Sequence, residues 1–129
     1  MGILCRFAFR GQGGHSSRRL VVKGIKTATA SLAWSYEPEA EPYPEVGDYS
    51  VVLDGEGRPL CIIRTTEVDL VPFNEVDADH AYREGEGDRS LAFWREVHWR
   101  FFAAECETLG KEPDEEMPVV CEKFELVFR

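Results

Sequence analysis

The sequence LCIIRTTEVDL, residues 60–70, is the longest β-rich stretch of the chain. Its isoleucines, valine and threonines are β-branched residues, which pack well on a pleated surface. A second strand is predicted just before it, over residues 49–53, and the sequence Asp54-Gly55-Glu56-Gly57 between the two is typical of a hairpin turn. The two segments therefore predict a pair of antiparallel strands.

Further strands and helices are predicted on both sides of this pair. One strand is expected over residues 27–34, and a closing strand over residues 119–128, where apolar and polar residues alternate. A short helix that ends at residue 83 and a long helix over residues 91–109 lie between the strands, each preceded by residues that cap helices. This order of strands, helices and strand predicts an α+β fold with a mostly antiparallel sheet that can curl into a small barrel.

The composition is that of one globular domain. At 129 residues the chain can bury a core, and 43% hydrophobic with 30% charged residues is ordinary for such a domain. No apolar run approaches the roughly 20 residues that span a bilayer, and the first residues lack the apolar core of a signal peptide. Four scattered cysteines without a CxxC pair predict reduced thiols in a cytoplasmic protein, with no metal site.

The net charge of −9 disfavours a protein that coats nucleic acid without specificity, because neutralisation of phosphates drives such binding. Basic residues gather locally within residues 18–26, whereas residues 37–45 and 105–116 are acidic. The charge distribution therefore favours a small pocket over a long track for RNA.

Lys26 and Thr29 stand three residues apart, just after Gly24. A lysine in a pocket can bind an anion or accept a proton, and a threonine hydroxyl can attack a substrate or hydrogen-bond to it. The same residues also fit a solvated lysine and a threonine favoured for its β-propensity. The residues themselves leave both interpretations open.

The two predicted helices carry further candidates. His80 and Glu84 are four residues apart and share one face of the short helix, but too few ligands accompany them for a metal site. Trp94 and His98 belong to an aromatic face of the long helix, which is more typical of core packing than of base stacking. Such a face can also line a pocket that holds a planar base.

With these segments placed, residues 20–129 resemble the ASCH domain, the activating-signal-cointegrator homology family related to PUA-like RNA-binding barrels. The resemblance rests on the ordered blocks Gly24-Ile25-Lys26-Thr27-Ala28-Thr29-Ala30-Ser31, Val46-Gly47-Asp48, Arg64-Thr65-Thr66-Glu67-Val68, His80-Ala81, Glu84-Gly85-Glu86-Gly87-Asp88, Ser90-Leu91 and Phe93-Trp94-Arg95. The family signature GxKxxTxR is matched at its Gly, Lys and Thr, but Ser31 replaces its arginine. Residues 1–19 match poorly and are expected to form a flexible N-terminal segment.

The resemblance implies a small, mostly antiparallel PUA-like β-barrel flanked by helices, with an RNA- or nucleoside-related function. Some bacterial members hydrolyse the amide of acylated cytidine with a Lys, a Thr and a Glu, and another member has been described as a ribonuclease. The matching catalytic residues here are Lys26 as base, Thr29 as nucleophile and Glu84, with a raised pKa, as acid. The candidates for nucleotide binding are Gly24, Ser31, Trp34, Arg64, Glu86, Trp94 and His98.

Two functions remain open from the sequence. One is a hydrolase that acts on a nucleoside or RNA through Lys26, Thr29 and Glu84. The other is a noncatalytic RNA- or nucleotide-binding module, in which Lys26, Arg64 and the aromatic helix hold a phosphate and a base. An RNA or nucleoside ligand is the expected partner, with no cofactor, no metal and no membrane, and the sequence does not determine an oligomeric state.

Overall fold

The computed structural model describes residues 6–7, 15–54 and 56–128. The elements in chain order are β1 (Arg6–Phe7), α1 (His15–Val22), β2 (Ala28–Leu32), β3 (Tyr49–Leu53), β4 (Pro59–Pro72), α2 (Ala78–Glu84), α3 (Leu91–Leu109) and β5 (Pro118–Phe128). Single 3-10 turns follow β2 and β4, at Ala33–Tyr36 and Phe73–Glu75.

The five strands form one sheet in the order β1-β3-β4-β5-β2. Only the two-residue β1 pairs in parallel, and the other neighbours are antiparallel. Strand β4 is 14 residues long, and its register against β5 shifts at residues 62/63 and 65/67. Such irregularities bend and twist a strand, so the four antiparallel strands curl into a half-barrel. The predicted α+β fold with a mostly antiparallel, barrel-like sheet is confirmed.

The two faces of the sheet bury different side chains. On one face, Ala30, Leu32 and Val119 pack with Trp94 and Phe102 of α3. The second cluster contains Val21, Val52, Cys61, Ile63 and Phe124. Because successive side chains of a strand point to opposite faces, neighbouring residues of β2 face different surroundings.

Local signals set the ends of the helices. Helix α2 begins after Asp77, whose Oδ1 accepts the backbone N–H of His80 at 2.9 Å. Helix α3 begins after Ser90, whose hydroxyl accepts the N–H of Phe93 at 3.1 Å, and ends at Gly110 with a φ of +72°. These caps satisfy backbone groups that a helix end leaves unpaired, so the helix begins and ends beside them. The predicted helix over residues 91–109 is confirmed.

Two predicted boundaries differ from the structure. The strand expected over residues 27–34 is shorter, because Thr27 donates its N–H to Arg83 O at 2.7 Å and a 3-10 turn begins at Ala33. Helix α1 begins at His15, inside the segment 1–19 that was expected to be flexible. Residues 1–5 and 8–14 of that segment lie outside the described residues. Among the described helices, none is long and apolar enough to cross a membrane.

Candidate functional site

The site begins where α2 ends. Gly85 closes this helix in a left-handed conformation with a φ of +74°, and a Cβ there would lie 3.0 Å from Cγ2 of Ile25. The absence of a side chain at Gly85 therefore lets the link between α1 and β2 approach the helix end. Lys26 lies in this link, and its Nζ donates to both Glu84 O and Glu84 Oε1, each at 3.3 Å.

The carboxylate of Glu84 is surrounded by donors from three parts of the chain. Oε2 accepts from His80 Nε2 at 2.9 Å and from Trp94 Nε1 at 2.6 Å. Oε1 accepts from Lys26 and lies 3.5 Å from His98 Nε2. A carboxylate has about four acceptor positions, and these contacts occupy most of them. Glu84 is 1% exposed and acts as the anion around which the site is built.

These contacts decide the ionisation of Glu84. Burial by itself raises the pKa of Glu84, because the charged form loses its hydration. Hydrogen bonds from His80 and His98 and the charge of Lys26 outweigh burial and hold this pKa well below its usual value of 4.5. The raised pKa expected from the sequence is therefore wrong. Glu84 is ionised at neutral pH and carries no proton that it could donate as a general acid.

A pocket with a volume of about 260 Å³ opens beside this carboxylate. It is lined by Ala81, Glu84, Glu86, Gly87, Phe93, Trp94, Val97 and His98. Glu86 contributes a second carboxylate, whose Oε2 lies 3.1 Å from Lys26 Nζ and whose side chain is 33% exposed. The pocket therefore combines apolar walls with one buried and one accessible anion.

Two ring contacts shape the walls of the pocket. The rings of Trp94 and His98 stack with centroids 4.1 Å apart, and His98 Nδ1 lies 2.9 Å from Trp94 O. Phe93 packs against Gly87, where an added Cβ would clash with the Phe93 ring. The aromatic face of α3 thus serves both the core, as expected, and the pocket.

Thr29 lies on a different face from this cluster. Its neighbours Ala28 and Ala30 are buried, and Ala30 packs in the cluster that contains Trp94. Thr29 points to the opposite face of β2 and is paired across the sheet with Glu122 of β5. The structure thus joins Lys26 to Glu84 and places Thr29 beside another carboxylate.

Glu122 is 8% exposed, and Thr65 Oγ1 donates to its Oε2 at 2.6 Å. This buried carboxylate was not among the candidates from the sequence. The sequence did contain one indication of its burial. Glu122 lies between Val120 and Phe124 on the same face of a strand, and both of these neighbours are apolar and buried.

Two of the predicted nucleotide-binding residues shape the chain near Lys26 and along β2. Gly24 has a φ of +77° and donates its N–H to Val21 O at 3.0 Å, which ends the first helix. The hydroxyl of Ser31, at the position of the family's arginine, lies 2.7 Å from the hydroxyl of Tyr36. Neither residue lines the pocket beside Glu84.

Two other predicted nucleotide-binding residues also lie away from that pocket. Trp34 packs against the core, and Lys111 Nζ lies 5.2 Å from its ring centroid. Arg64 is 45% exposed and forms an ion pair with Glu125 on the next strand. Of the seven candidates, Glu86, Trp94 and His98 therefore line the pocket, whereas Gly24, Ser31, Trp34 and Arg64 do not.

The described residues form neither a metal-binding cluster nor a disulfide. There, no group of three or more His, Cys, Asp or Glu side chains is placed to hold a metal ion. The described cysteines, Cys61, Cys106 and Cys121, are free thiols, and the first two are buried.

Comparison with known proteins identifies the family. The family model of the ASCH domain matches residues 6–128. The chain belongs to the ASCH family. Its fold is accordingly PUA-like, and the match includes residues before position 20. No curated protein matches the chain significantly.

Solved structures agree with this assignment. The ASCH domain from Lactobacillus crispatus JV V101 is 37% identical, with a TM-score of 0.87 over 97% of this chain and 79% of that one. A protein from Enterococcus faecalis V583 is 38% identical, with a TM-score of 0.82 over 99% of this chain and 77% of that one. A hypothetical protein that is 18% identical, with a TM-score of 0.55, shares the fold.

The pocket of this ASCH domain also contains residues that sequence reasoning did not select. Ala81, Gly87, Phe93 and Val97 line it, although only ordinary helix and loop residues are visible at these positions in the sequence. The sequence contained one indication of the contact between two of them, because Gly87 and Phe93 are only six residues apart, on either side of the start of α3. Their contact depends on the turn at residues 85–90.

Proposed function

We propose that this ASCH domain binds a nucleoside, or an exposed base of an RNA, in the pocket between α2, the loop at residues 85–90 and α3. The observation that carries the proposal is the pocket of about 260 Å³ with aromatic walls and the two carboxylates of Glu84 and Glu86. Ligand pockets typically span roughly 300–1,000 Å³, so this one suits a base or nucleoside better than a larger ligand.

The walls of the pocket favour a planar ring. Phe93, Val97 and the stacked pair of Trp94 and His98 supply apolar and aromatic surface. Bases that are splayed out of single-stranded RNA are bound by stacking and by hydrogen bonds to their edges. The same surface can hold the base of a free nucleoside.

Glu86 is the group best placed to read the edge of the base. Three hydrogen bonds and the nearby His98 ring already surround the carboxylate of Glu84, whereas the side chain of Glu86 is 33% exposed at the pocket wall. A carboxylate accepts hydrogen bonds from N–H groups, as glutamate does from the amino group of cytosine. The preferred ligand therefore presents N–H donors to Glu86.

The charges also indicate where a phosphate does not bind. Lys26 is 1% exposed, and its ammonium already contacts the carboxylates of Glu84 and Glu86. Because these two carboxylates outnumber the one ammonium, the inner pocket is unfavourable for a phosphate. A phosphate held jointly by Lys26 and Arg64 has no support, because Arg64 pairs with Glu125 outside the pocket.

Isothermal titration of the purified protein with cytidine, adenosine, uridine and guanosine tests the proposal. We expect binding, with a preference for bases that carry an amino group. Val97→Phe, which fills the pocket, should abolish it, whereas Ala104→Phe on the exposed face of the same helix should not. Absence of binding by all four nucleosides and by a mixed single-stranded RNA would sink the proposal.

Glu86→Gln tests the reading of the base edge, with Glu96→Gln as the matched control. Glu96 lies on α3 with 73% of its side chain exposed and is paired only loosely with Arg100 at 3.8 Å. Loss of one charge-assisted hydrogen bond should weaken binding by about 1.5–3 kcal/mol. Equal affinities of the two variants would show that Glu86 does not contact the base.

A second candidate function is hydrolysis of the amide of an acylated nucleoside, as the resemblance implies. The observation that favours it is the direct contact of Lys26 with Glu84, two of the three implied catalytic residues. Because Glu84 is held ionised, its role in such a reaction is to hold Lys26 rather than to donate a proton.

Incubation with acylated cytidine, followed by chromatographic separation of cytidine, tests this second function. Thr29→Val removes the hydroxyl while preserving shape and β-propensity, and Thr108→Val on the exposed end of α3 is its control. Hydrolysis that is lost only with Thr29→Val supports the enzyme. Binding without turnover in the wild type leaves the pocket as a binding site and excludes the hydrolase with this substrate.

A further inference from the structure

The exposed ring of Tyr82 and the partly buried Arg89 form a cation–π pair on segments that border the pocket. The guanidinium carbon of Arg89 lies 3.6 Å from the ring centroid of Tyr82, and Arg89 Nε donates to Tyr82 O at 2.9 Å. Tyr82 is 57% exposed and directly follows Ala81, which lines the pocket. Arg89 lies two residues after Gly87, another lining residue, and two residues span at most about 7 Å.

The backbone at Arg89 is strained. Its φ is +65°, a left-handed conformation that is unfavourable for residues other than glycine. The turn is closed by the N–H of Arg89, which donates to Glu86 O at 3.0 Å. Strain of this kind tends to persist where it places a side chain for binding. Here it places a guanidinium on the loop that forms the pocket wall.

The charge of Arg89 is not neutralised by any described carboxylate. The ion pairs of the described residues engage Arg58, Arg64, Arg83 and Arg100, but not Arg89. The carboxylate next to it in the chain, that of Asp88, accepts the backbone N–H of Ser90 at 2.9 Å instead. In a chain with a net charge of −9, a rigidly held cation without a counter-ion is suited to an anionic ligand.

We infer that Arg89 and Tyr82 form a phosphate subsite for a nucleotide whose base lies in the pocket, an inference that rests on the proposed function. Because Nε is already engaged by Tyr82 O, the two Nη groups are the donors for phosphate oxygens, in the fork that suits this anion. The carboxylates of Glu84 and Glu86 keep the phosphate out of the pocket, and Arg89 binds it outside. The ligand is therefore a nucleotide or an RNA strand rather than a free nucleoside.

Titration with a matched series of ligands tests the inference. The series is cytidine, its 5′- and 3′-monophosphates, and a dinucleoside monophosphate that contains cytidine, so that monoester and diester are compared. We expect at least one phosphate-bearing ligand to bind roughly 10- to 100-fold more tightly than cytidine, the effect of one charge-assisted hydrogen bond. Arg89→Gln should remove this advantage and leave the affinity for cytidine unchanged.

Arg95→Gln is the matched control, because Arg95 also donates to a backbone carbonyl (Asn74 O, 3.3 Å) and lies on the neighbouring helix. Arg89→Gly separates binding from folding. Glycine tolerates the φ of +65°, so relief of strain should offset the lost bond to Tyr82 O, and the melting temperature should change little.

Each outcome decides the inference. A phosphate advantage that is lost in both Arg89 variants and kept in Arg95→Gln supports it. It is wrong if cytidine binds but phosphates add nothing, or if Arg89→Gln weakens cytidine and nucleotides equally, although the pocket then stands as proposed. If no member of the series binds, both the subsite and the proposed function fail.

Discussion

Replacement of Glu84 by glutamine tests the organisation of the site directly. Glu84→Gln keeps the size of the side chain but removes the more deeply buried of the two carboxylate charges that neutralise Lys26. In the wild type, Oε1 and Oε2 accept hydrogen bonds from Lys26, His80 and Trp94. The glutamine NH2 group would replace one of these oxygens and would place its own donors against those of the neighbours. Breaking a buried ion pair by removing one partner costs about 3–5 kcal/mol.

This cost is large for a small domain. Total stabilities are typically about 5–15 kcal/mol, so the variant should lose a third or more of a mid-range value. Urea denaturation followed by circular dichroism at pH 7 measures the change, with Glu107→Gln, on the exposed end of α3, as control. The thermal midpoint should fall by roughly 10–20 °C. A loss below about 1 kcal/mol would refute the view that Glu84 anchors the buried charges.

The contribution of Glu84 to the stability of the fold should also depend on pH. The pKa of Glu84 in the folded protein lies below its usual value of 4.5, so its ionised form stabilises the fold at and above that pH. This contribution is lost as the pH falls through the lowered, folded-state pKa. The difference in stability between wild type and Glu84→Gln should therefore shrink as the pH falls from 4.5 toward the lowered pKa of Glu84. A difference that grows as the pH falls below 4.5 would contradict the lowered pKa of Glu84.

Three further predictions concern packing and reactivity. Gly85→Ala should destabilise the fold by about 2–4 kcal/mol in urea denaturation, since it adds a contact at 3.0 Å with Ile25 to the backbone strain. Gly110→Ala, with open space around it, should cost only about 1–2 kcal/mol. Equal losses would argue against close packing at Gly85. Ser50→Ala should leave stability unchanged or raise it by up to about 1 kcal/mol, because the buried Ser50 hydroxyl has no hydrogen-bond partner among the described residues, and a clear loss in the same assay would reveal one. Burial and nearby carboxylates raise the pKa of the Cys121 thiol to about 12, so iodoacetamide at pH 8 should label it far more slowly in the native than in the urea-unfolded protein; equal rates by mass spectrometry would show an accessible thiolate.

Much of the fold could be predicted because its signals are local. Ser90 and Gly110 mark both ends of the long helix, and Asp77 marks the start of the short one. The strand over residues 49–53 and the hairpin turn after it follow from β-branched residues and turn residues that are adjacent in the chain. Where the prediction failed, at the start of β2, the N–H of Thr27 bonds to a distant helix, which no local pattern reveals.

The candidate site was predicted in part for the same reason. His80 and Glu84 are one helical turn apart, as are Trp94 and His98, so their shared faces follow from spacing alone. The ionisation of Glu84 could not be predicted in this way. The direction of its pKa shift depends on how many donors reach the carboxylate. Those donors come from α2, α3 and the link before β2.

The sequence by itself determined the order of the elements, the caps of two helices, the family resemblance and the residue types at the site. The tertiary structure decided which of these residues meet. Lys26 and Glu84, 58 positions apart, form a buried ion pair because Gly85 lets the link before β2 approach α2. Thr29, only three residues from Lys26, faces Glu122 because alternate residues of β2 point to opposite sides of the sheet.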